Sequence, residues 1–146
     1  MTGAPRRPPR ILVVDDSIVV RQILILTLRQ MGAFAGSEIE EAGNGAVALH
    51  KLEGQPYDLV LSDIRMPLMD GLELVRRVRA GAERGDTPIV LVSTLGTEED
   101  VRRGMDAGAT AYILKPLSPY HIRTALLRLM EEGGPLHVLS FRARPA

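Results

Sequence analysis

The sequence predicts an α/β protein with a doubly wound, five-stranded parallel sheet flanked by five helices. Short apolar runs without polar alternation are typical of strands that are covered on both faces. Between these runs lie segments whose apolar residues recur at spacings of three and four, which is typical of helices. Five such strand–helix units in a chain of 146 residues favour one sheet with helices on both sides.

Strands are predicted where the apolar runs occur, and the second run is the weakest. The predicted strands are residues 11–14, 37–41, 59–62, 89–93 and 111–114. The helices are predicted to begin near Ser17, Asn44, Asp70, Thr97 and Ser118. Thr97 and Asp100 have the spacing of a capping box, and Gly108 is the predicted C-cap of the same helix. Extra residues at 33–37 are predicted to lengthen the loop before the second strand.

Composition excludes several classes of protein. Lysine plus arginine equals aspartate plus glutamate at 18 each, so no net charge favours nucleic acid or a membrane as a partner. The chain has no cysteine, which excludes disulfides, thiol catalysis and cysteine-ligated zinc. No apolar run reaches about 18 residues, and the N-terminus lacks the apolar region of a signal peptide. We therefore expect a soluble cytoplasmic protein.

One folded domain is expected between two short tails. Residues 1–9 are basic and proline-rich and are predicted to form a flexible tail. The domain is expected to span residues 10–132, because Gly133, Gly134 and Pro135 break the last helix. The remaining residues, 133–146, are too few for a second domain, and their apolar side chains either add an edge strand or dock on a partner.

Polar and charged side chains stand at the ends of four predicted strands. Asp15 and Asp16 follow the first strand, Asp63 follows the third, Ser93 ends the fourth and Lys115 follows the fifth. In an open parallel sheet ligands bind outside the carboxyl ends of the strands, so we expect these groups to converge. Three converging carboxylates need a compensating cation, and Mg²⁺ is a hard cation that carboxylate oxygens bind. The scattered histidines and the lack of cysteine give little support to a softer metal.

Three acids, a hydroxyl and a lysine together fit the phosphorylation of a carboxylate. One carboxylate acts as the nucleophile toward a phosphoryl group, whose oxygens Mg²⁺ and the lysine neutralise and the hydroxyl hydrogen-bonds. Each residue alone has a simpler interpretation, since a strand-end aspartate is most often a helix cap and a lysine before proline is usually a loop charge. Their joint occurrence at four strand ends favours the phosphorylation site.

Four segments of the chain, ILVVDDS, LVLSDIRMPLMDG, PIVLVSTLG and AGATAYILKP, occur in this order. Together they resemble the receiver domain of bacterial two-component response regulators, from about residue 10 to residue 130. The second segment is similar to the phosphoacceptor motif of that family, D-x-x-M-P-x-M-D-G. The resemblance implies a flavodoxin-like fold and a signalling protein similar to the stand-alone chemotaxis regulators, which catalyses only its own phosphorylation and dephosphorylation.

The resemblance also implies which residues form the phosphorylation site. It implies that Asp63 accepts a phosphoryl group, as 4-aspartylphosphate, from a histidine kinase or a histidine phosphotransfer protein. Mg²⁺ is then held by Asp16, by Asp15 partly through water, by Asp63 and by the backbone carbonyl of Arg65. Ser93 is implied to donate a hydrogen bond to the phosphoryl group.

Further roles follow from the same resemblance. Lys115 is implied to pair with the phosphoryl group, and the Lys115–Pro116 peptide bond to be cis. Tyr112 is implied to swing inward when Ser93 moves, against the simpler interpretation of a half-buried strand aromatic with a solvated hydroxyl.

Two positions differ from the family pattern. Thr94 stands where the family usually has alanine or glycine, and its β-branched side chain is expected to crowd the site and to slow attack by water or small donors. Arg65 carries a charge at a position that overhangs the site, where it either stabilises the phosphoryl group or obstructs water. Both residues bear on the lifetime of the phosphorylated form.

The expected function is a phosphorylation-activated switch without a fused output domain. Its output is expected through a protein partner or onward phosphotransfer, at the face formed by the fourth helix, the fifth strand and the fifth helix. That face contains Arg102, Arg103, Leu117 and Tyr120. The alternatives are a phosphate-independent scaffold and an aspartate-nucleophile phosphatase. Such phosphatases usually need a second aspartate where this chain has Arg65, which counts against them.

The first helix carries more apolar residues than one buried face needs. The core face is predicted to contain Val20, Ile23, Leu24, Thr27, Leu28 and Met31. The opposite arc contains Ile18, Val19, Ile25 and Leu26 beside Gln22. We expect this arc to dock a kinase, a phosphotransfer helix or a second copy of the chain. The alternative is ordinary scattered surface aliphatic side chains.

Overall fold

A computed structural model describes residues 8–115, 118–131 and 142–143 of the chain. The strands are β1 (Arg10–Val14), β2 (Glu38–Ala42), β3 (Leu59–Ser62), β4 (Ile89–Ser93), β5 (Ala111–Leu114) and the two-residue β6 (Arg142–Ala143). The helices are α1 (Ile18–Arg29), α2 (Gly45–Gly54), α3 (Gly71–Ala80), α4 (Glu98–Ala107) and α5 (Pro119–Glu131). The predicted order of five strand–helix units is therefore confirmed.

All strands lie in one parallel sheet, in the order β2-β1-β3-β4-β5-β6. The chain winds outward from β1 in both directions, because β2 pairs with one side of β1 and β3 with the other. Such a reversal opens a crevice at the carboxyl ends of the strands. The acidic pair after β1 lies at this reversal point.

Two hydrophobic layers hold the sheet between its helices. Alternate residues of the central strands point to opposite faces, so that Ile11 and Val13 belong to one layer and Leu12 and Val14 to the other. The first layer is closed by α1 and α5, and the second by α2, α3 and α4. All four apolar residues of β1 that enter these layers are fully buried. The apolar runs in the sequence are nearly continuous because these strands are buried on both faces.

The helices begin at the residues that the sequence predicts. The side chains of Ser17, Asn44 and Asp70 each accept a hydrogen bond from the backbone N–H three residues later. Thr97 and Asp100 form the predicted capping box, which satisfies two N–H groups at the start of α4. The helix ends at Gly108, whose φ of 115° is a left-handed conformation that favours glycine. These caps place the helix starts at the site edge of the sheet.

The outer arc of α1 is smaller than predicted. Ile18 and Val19 are 65% and 68% exposed, and Leu26 is also exposed. Ile25, however, is partly buried and packs against the core layer that α1 and α5 share. The prediction that Ile25 belongs to the outer arc is therefore wrong, because α5 and the neighbouring residues close around a wider sector of α1 than one sheet face requires.

Segments outside the main sheet agree with only part of the sequence interpretation. The longer loop before β2 contains a short 3-10 helix, Gly32–Phe34, whose Phe34 is buried. An edge strand within residues 133–146 was one of two alternatives, and β6 is that strand. The predicted cis bond before Pro116 and the predicted contact residue Leu117 both lie outside the described residues.

Candidate functional site

Three carboxylates meet at the carboxyl ends of β1 and β3. Asp15 and Asp16 follow β1, and Asp63 follows β3. One carboxylate oxygen from each of the three lies within 4.8 Å of those of the other two. Asp15 is buried, Asp63 is half-buried and Asp16 is exposed, so the cluster opens to solvent on one side. The convergence that the strand ends predict is therefore present.

Hydrogen bonds fix Asp15 in one orientation. Its Oδ1 accepts from the N–H of Ser17 at 2.8 Å, and its Oδ2 lies 3.2 Å from Nζ of Lys115. The guanidinium of Arg21 donates to the backbone carbonyl of Asp15 at 2.5 Å and forms an ion pair with Glu41. Sequence reasoning missed Arg21, which lies one helical turn beyond Ser17 and ties α1 and β2 to the end of β1.

Asp63 is held by backbone and by one cation. Its N–H donates to the carbonyl of Val14 at 2.9 Å, and its Oδ1 accepts from the N–H of Ile64 at 2.7 Å. Its Oδ2 lies 3.5 Å from Nζ of Lys115. Burial raises the pKa of the Asp63 carboxyl and the charge of Asp15 adds to this, while Lys115 acts in the opposite direction without cancelling it.

Lys115 alone does not balance the three acids. Its Nζ lies within 3.5 Å of both Asp15 and Asp63, and its side chain is only 14% exposed. A single ammonium therefore serves a cluster of three carboxylates, and the pKa of Asp63 stays raised, first by burial and then by the charge of Asp15. An open group of three carboxylates, without a histidine or a cysteine, suits a hard divalent cation that retains water ligands. The donor set therefore fits Mg²⁺.

Ser93 and Tyr112 both hold the backbone of Leu95, in the loop after β4. Ser93 Oγ accepts a hydrogen bond from the Leu95 N–H at 3.1 Å, and the Tyr112 hydroxyl donates to the Leu95 carbonyl at 2.5 Å. Tyr112 is fully buried, so its ring is inward and the half-buried interpretation does not hold. Sequence reasoning missed Leu95, since a contact made through backbone atoms leaves no sequence signal.

The two positions that differ from the family pattern are both exposed. Thr94 directly follows the buried Ser93, and Arg65 lies two residues after Asp63. The pKa of Asp100, in the first turn of α4, is lowered mainly by its hydrogen bonds with Thr97 and further by the charges of Arg103 and Arg65. The charge of Arg65 thus acts on the start of α4.

The loop between β3 and α3 is shaped by Gly71 and Leu68. A Cβ at Gly71 would lie 2.1 Å from the Asp63 carbonyl oxygen, and the Gly71 N–H donates to the Ile64 carbonyl at 2.8 Å. Leu68 has a φ of 72°, which is uncommon for leucine, and is 87% exposed. The sequence places Gly71 in its phosphoacceptor segment but gives no reason for a glycine; the close approach of two backbones is that reason.

A doubly wound parallel sheet with an acid cluster and a lysine at its carboxyl edge defines a class of phosphoacceptor signalling domains. A family model for the response regulator receiver domain matches residues 11–127. The chain belongs to this family, and it is a receiver domain of the kind used in two-component signalling.

Relatives of this chain include chemotaxis proteins. It is 35% identical over 126 residues to a "Chemotaxis protein CheY homolog" of Campylobacter jejuni, covering 86% of this chain and 95% of that protein. It is 39% identical over 106 residues to the "Gliding motility regulatory protein" of Myxococcus xanthus, covering 73% of this chain but only 13% of that protein. The similarity therefore spans nearly a whole small regulator in one case and one segment of a large protein in the other.

Solved structures share the fold. The chemotaxis response regulator CheY4 of Vibrio cholerae is 36% identical with a TM-score of 0.75, covering 84% of this chain and 98% of that one. The receiver domain of the sensor histidine kinase PA1611 of Pseudomonas aeruginosa has a TM-score of 0.71 at 28% identity, over 84% and 97% of the two chains, and contains magnesium in its active-site cleft. Among the described residues of this chain, no helix is long and apolar enough to cross a membrane.

Proposed function

We propose that Asp63 is the phosphoacceptor of a two-component phosphorelay. The observation that carries this proposal is the position of its carboxylate, which is half-buried among two further acids and within 3.5 Å of Lys115. One oxygen of Asp63 attacks the phosphorus of a phosphohistidine in a kinase or a phosphotransfer protein. The P–N bond breaks, its electron pair stays on the imidazole nitrogen, which becomes protonated, and a P–O bond forms on Asp63.

The chain's own residues prepare this transfer. The Ile64 N–H fixes one oxygen of Asp63, and Lys115 is positioned to neutralise the oxygens of the transferred group. Asp15, Asp16, Asp63 and the backbone carbonyl of Arg65 are the proposed ligands of Mg²⁺. The bound cation would supply the positive charge that three carboxylates and a phosphoryl group require.

Ser93 and Tyr112 are proposed to carry the signal away from the site. The Ser93 hydroxyl accepts from Leu95 and still has its own hydrogen to donate to a phosphoryl oxygen. A shift of Ser93 toward that oxygen would pull the Leu95 peptide, whose carbonyl the Tyr112 hydroxyl holds. The buried ring of Tyr112 contacts α4 at Gly104, where a Cβ would lie 3.0 Å from it. The signal would therefore reach the face formed by α4, β5 and α5, which is the proposed target surface.

Arg102, Arg103 and Tyr120 are exposed on the helices of that face. Their exposure supports a protein partner that recognises basic and aromatic side chains. The hydrogen bonds that join Ser93 to Tyr112 through Leu95 favour the switch over a purely phosphate-independent scaffold. The phosphatase alternative is not favoured, because Arg65 stands where such enzymes carry a second acid. We propose that the domain spans residues 10–132 and works in the cytoplasm.

Exposed apolar side chains lie in segments next to those that carry the acid cluster, and they suit a docked phosphodonor. Ile18 and Val19 lie in the first turn of α1, directly after the acidic pair, and Leu68 lies in the loop after Asp63. Val47, also exposed, lies in the first turn of α2, where Gly45 donates to the carbonyl of Met69 in that same loop. These exposed apolar side chains are expected to contact the protein that presents the phosphohistidine.

Changing Ile18, Val19 and Leu68 together to glutamine is expected to separate the two kinds of phosphodonor. Transfer from a phosphohistidine protein should slow by about tenfold or more, which corresponds to roughly 1.4 kcal/mol of lost docking free energy. The rate with a small phosphodonor should not change, because the acid cluster is intact. Stopped-flow transfer rates measure both, with Ala80→Gln, exposed at the end of α3, as the control. Equal slowing with both donors would show damage to the site and not to docking.

The proposed function is tested by Mg²⁺-dependent phosphorylation of the purified chain. Incubation with acetyl phosphate and Mg²⁺ is expected to add one phosphoryl group, seen by intact-protein mass spectrometry. An excess of chelator is expected to prevent the addition, because Lys115 alone does not offset the negative charge of three carboxylates and the phosphoryl group. A wild-type protein that gains no phosphoryl group from acetyl phosphate or from any histidine-phosphorylated donor would overturn the proposal.

A further inference from the structure

The two edges of the sheet are protected in different ways. At one edge, β2 carries Glu38, Glu40 and Glu41, which pair with Arg10, Lys51 and Arg21 at 2.8–3.5 Å. Charged side chains on an edge strand discourage pairing with a strand of another chain. At the other edge, β5 consists of Ala111, Tyr112, Ile113 and Leu114 and has no charged side chain. That edge therefore needs a different protection.

Strand β6 provides that protection in the described structure. It pairs with β5 in parallel, with Arg142 beside Tyr112 and Ala143 beside Ile113. The order β5–α5–β6 repeats the strand–helix–strand arrangement of the preceding units. The backbone of Tyr112 is thereby flanked by β4 on one side and by β6 on the other.

We propose that β6 is a removable cover on the edge of β5, which blocks the addition of a strand from another chain until Arg142–Ala143 leaves. Its removal is easy because it faces only two residues of β5, whereas β4 pairs with four. The occupant of the edge is the chain's own segment, and the competitor is any extended backbone segment, including one from a second copy. The proposed function enters at one point only: it makes the β5 edge part of the target face formed by α4, β5 and α5.

The position of Tyr112 gives this cover a consequence. Its hydroxyl holds the Leu95 carbonyl, while its backbone lies opposite Arg142. A partner that reaches β5 by displacing β6 therefore contacts the same residue that is linked to the loop after β4. The cover and the proposed signal meet at one residue of one edge strand.

Amide hydrogen exchange of the unphosphorylated protein tests the cover without any phosphodonor or Mg²⁺. A chain that ends at residue 141 lacks β6, and a chain that ends at residue 143 retains it and is the matched control. Those amides of β5 that face β6 are expected to exchange about tenfold faster in the shorter chain, the factor that corresponds to one hydrogen bond. Amides of β1 and β3 are expected to keep their protection in both chains.

A second variant keeps the full length of the chain. Proline at both Arg142 and Ala143 removes both N–H groups of β6 and is expected to accelerate the same amides. Self-association of the chain that ends at residue 141, but not of the chain that ends at residue 143, would support the cover further. Unchanged β5 exchange in the truncated chain and in the proline variant would overturn the proposal, as would equal acceleration in the control chain. A failure of phosphorylation at Asp63 would leave these exchange rates unaffected.

Discussion

The Asp63→Asn variant is expected to gain no phosphoryl group from either acetyl phosphate or a histidine-phosphorylated protein. Asparagine has nearly the same shape and can still accept the hydrogen bond from the Ile64 N–H, but its neutral amide is not a nucleophile toward phosphorus. Intact-protein mass spectrometry with wild type beside the variant measures the loss. Asp86→Asn is the matched control, since Asp86 is exposed beyond the opposite ends of the strands and should not alter phosphorylation.

The same variant is expected to be more stable than wild type in the presence of chelator. Burial and Asp15 raise the pKa of Asp63, so that the native state holds this proton more tightly than the unfolded chain does. Stability from that group is present below the unfolded pKa and is lost as the pH rises through the folded pKa. At neutral pH the charged Asp63 therefore destabilises the metal-free fold, and asparagine removes this cost.

Added Mg²⁺ should make wild type more stable than the Asp63→Asn variant, which reverses the order expected in chelator. A ligand at one hundred times its dissociation constant stabilises the state that binds it by about 2.7 kcal/mol, and the variant lacks one of the proposed carboxylate ligands. Thermal unfolding with chelator and with Mg²⁺ measures both effects. Phosphorylation of the variant would assign the acceptor to another residue, and equal stabilisation of both proteins by Mg²⁺ would remove Asp63 from the ligand set.

The Gly71→Ala variant is expected to lose most of its phosphorylation rate and to be destabilised by about 1–3 kcal/mol, the usual cost of overpacking. The added Cβ would lie 2.1 Å from the Asp63 carbonyl oxygen and 2.9 Å from Cα of Ile64. Both are backbone atoms, so no side chain can rotate away, and the backbone of Asp63 and Ile64 must move. The displacement separates Asp63 from Lys115 and from the other two acids.

Gly54→Ala is the matched control for this change. Gly54 is the last residue of α2, and nothing lies within 4 Å of a Cβ built there. Alanine at such a site is expected to be neutral or to stabilise by about 0.4–1 kcal/mol, because it restricts the unfolded chain. Chemical denaturation measures the free energy of unfolding of both variants, and reaction with acetyl phosphate measures their phosphorylation rates. If Gly71→Ala behaved like Gly54→Ala, the close approach of α3 to the Asp63 backbone would not exist in solution.

Most of the sheet could be predicted because its strands are buried on both faces. Such burial requires an apolar residue at nearly every position, and four of the runs stand out for this reason. The strand β6 carries no such pattern, since Arg142–Ala143 has only two residues and is defined by its pairing with β5. Similarly, helical spacing places Ile25 on the arc of α1 opposite the sheet. Spacing alone does not show that the core layer shared by α1 and α5 extends to Ile25.

The acid cluster could be predicted because a parallel sheet brings the carboxyl ends of its strands to one edge. Asp15, Asp16, Asp63 and Lys115 meet there by topology alone. The contacts of Arg21 with Asp15 and of Leu95 with Ser93 and Tyr112 could not be predicted, because they use backbone carbonyls or N–H groups that every residue possesses. Chemistry carried by side-chain type is visible in the sequence, whereas chemistry carried by backbone geometry is not.

The peptide of Leu95 has an evolutionary consequence. Because Ser93 and Tyr112 hold its N–H and its carbonyl, neither hydrogen bond depends on the side chain, which has only to fill its place against the core layer that α2, α3 and α4 close. Substitution there should be tolerated for residues of similar bulk, while proline, which lacks the N–H, should be rejected. Ser93 and Tyr112 would then be joined through a position whose residue type can change, and a comparison of residue types alone would overlook the link between them.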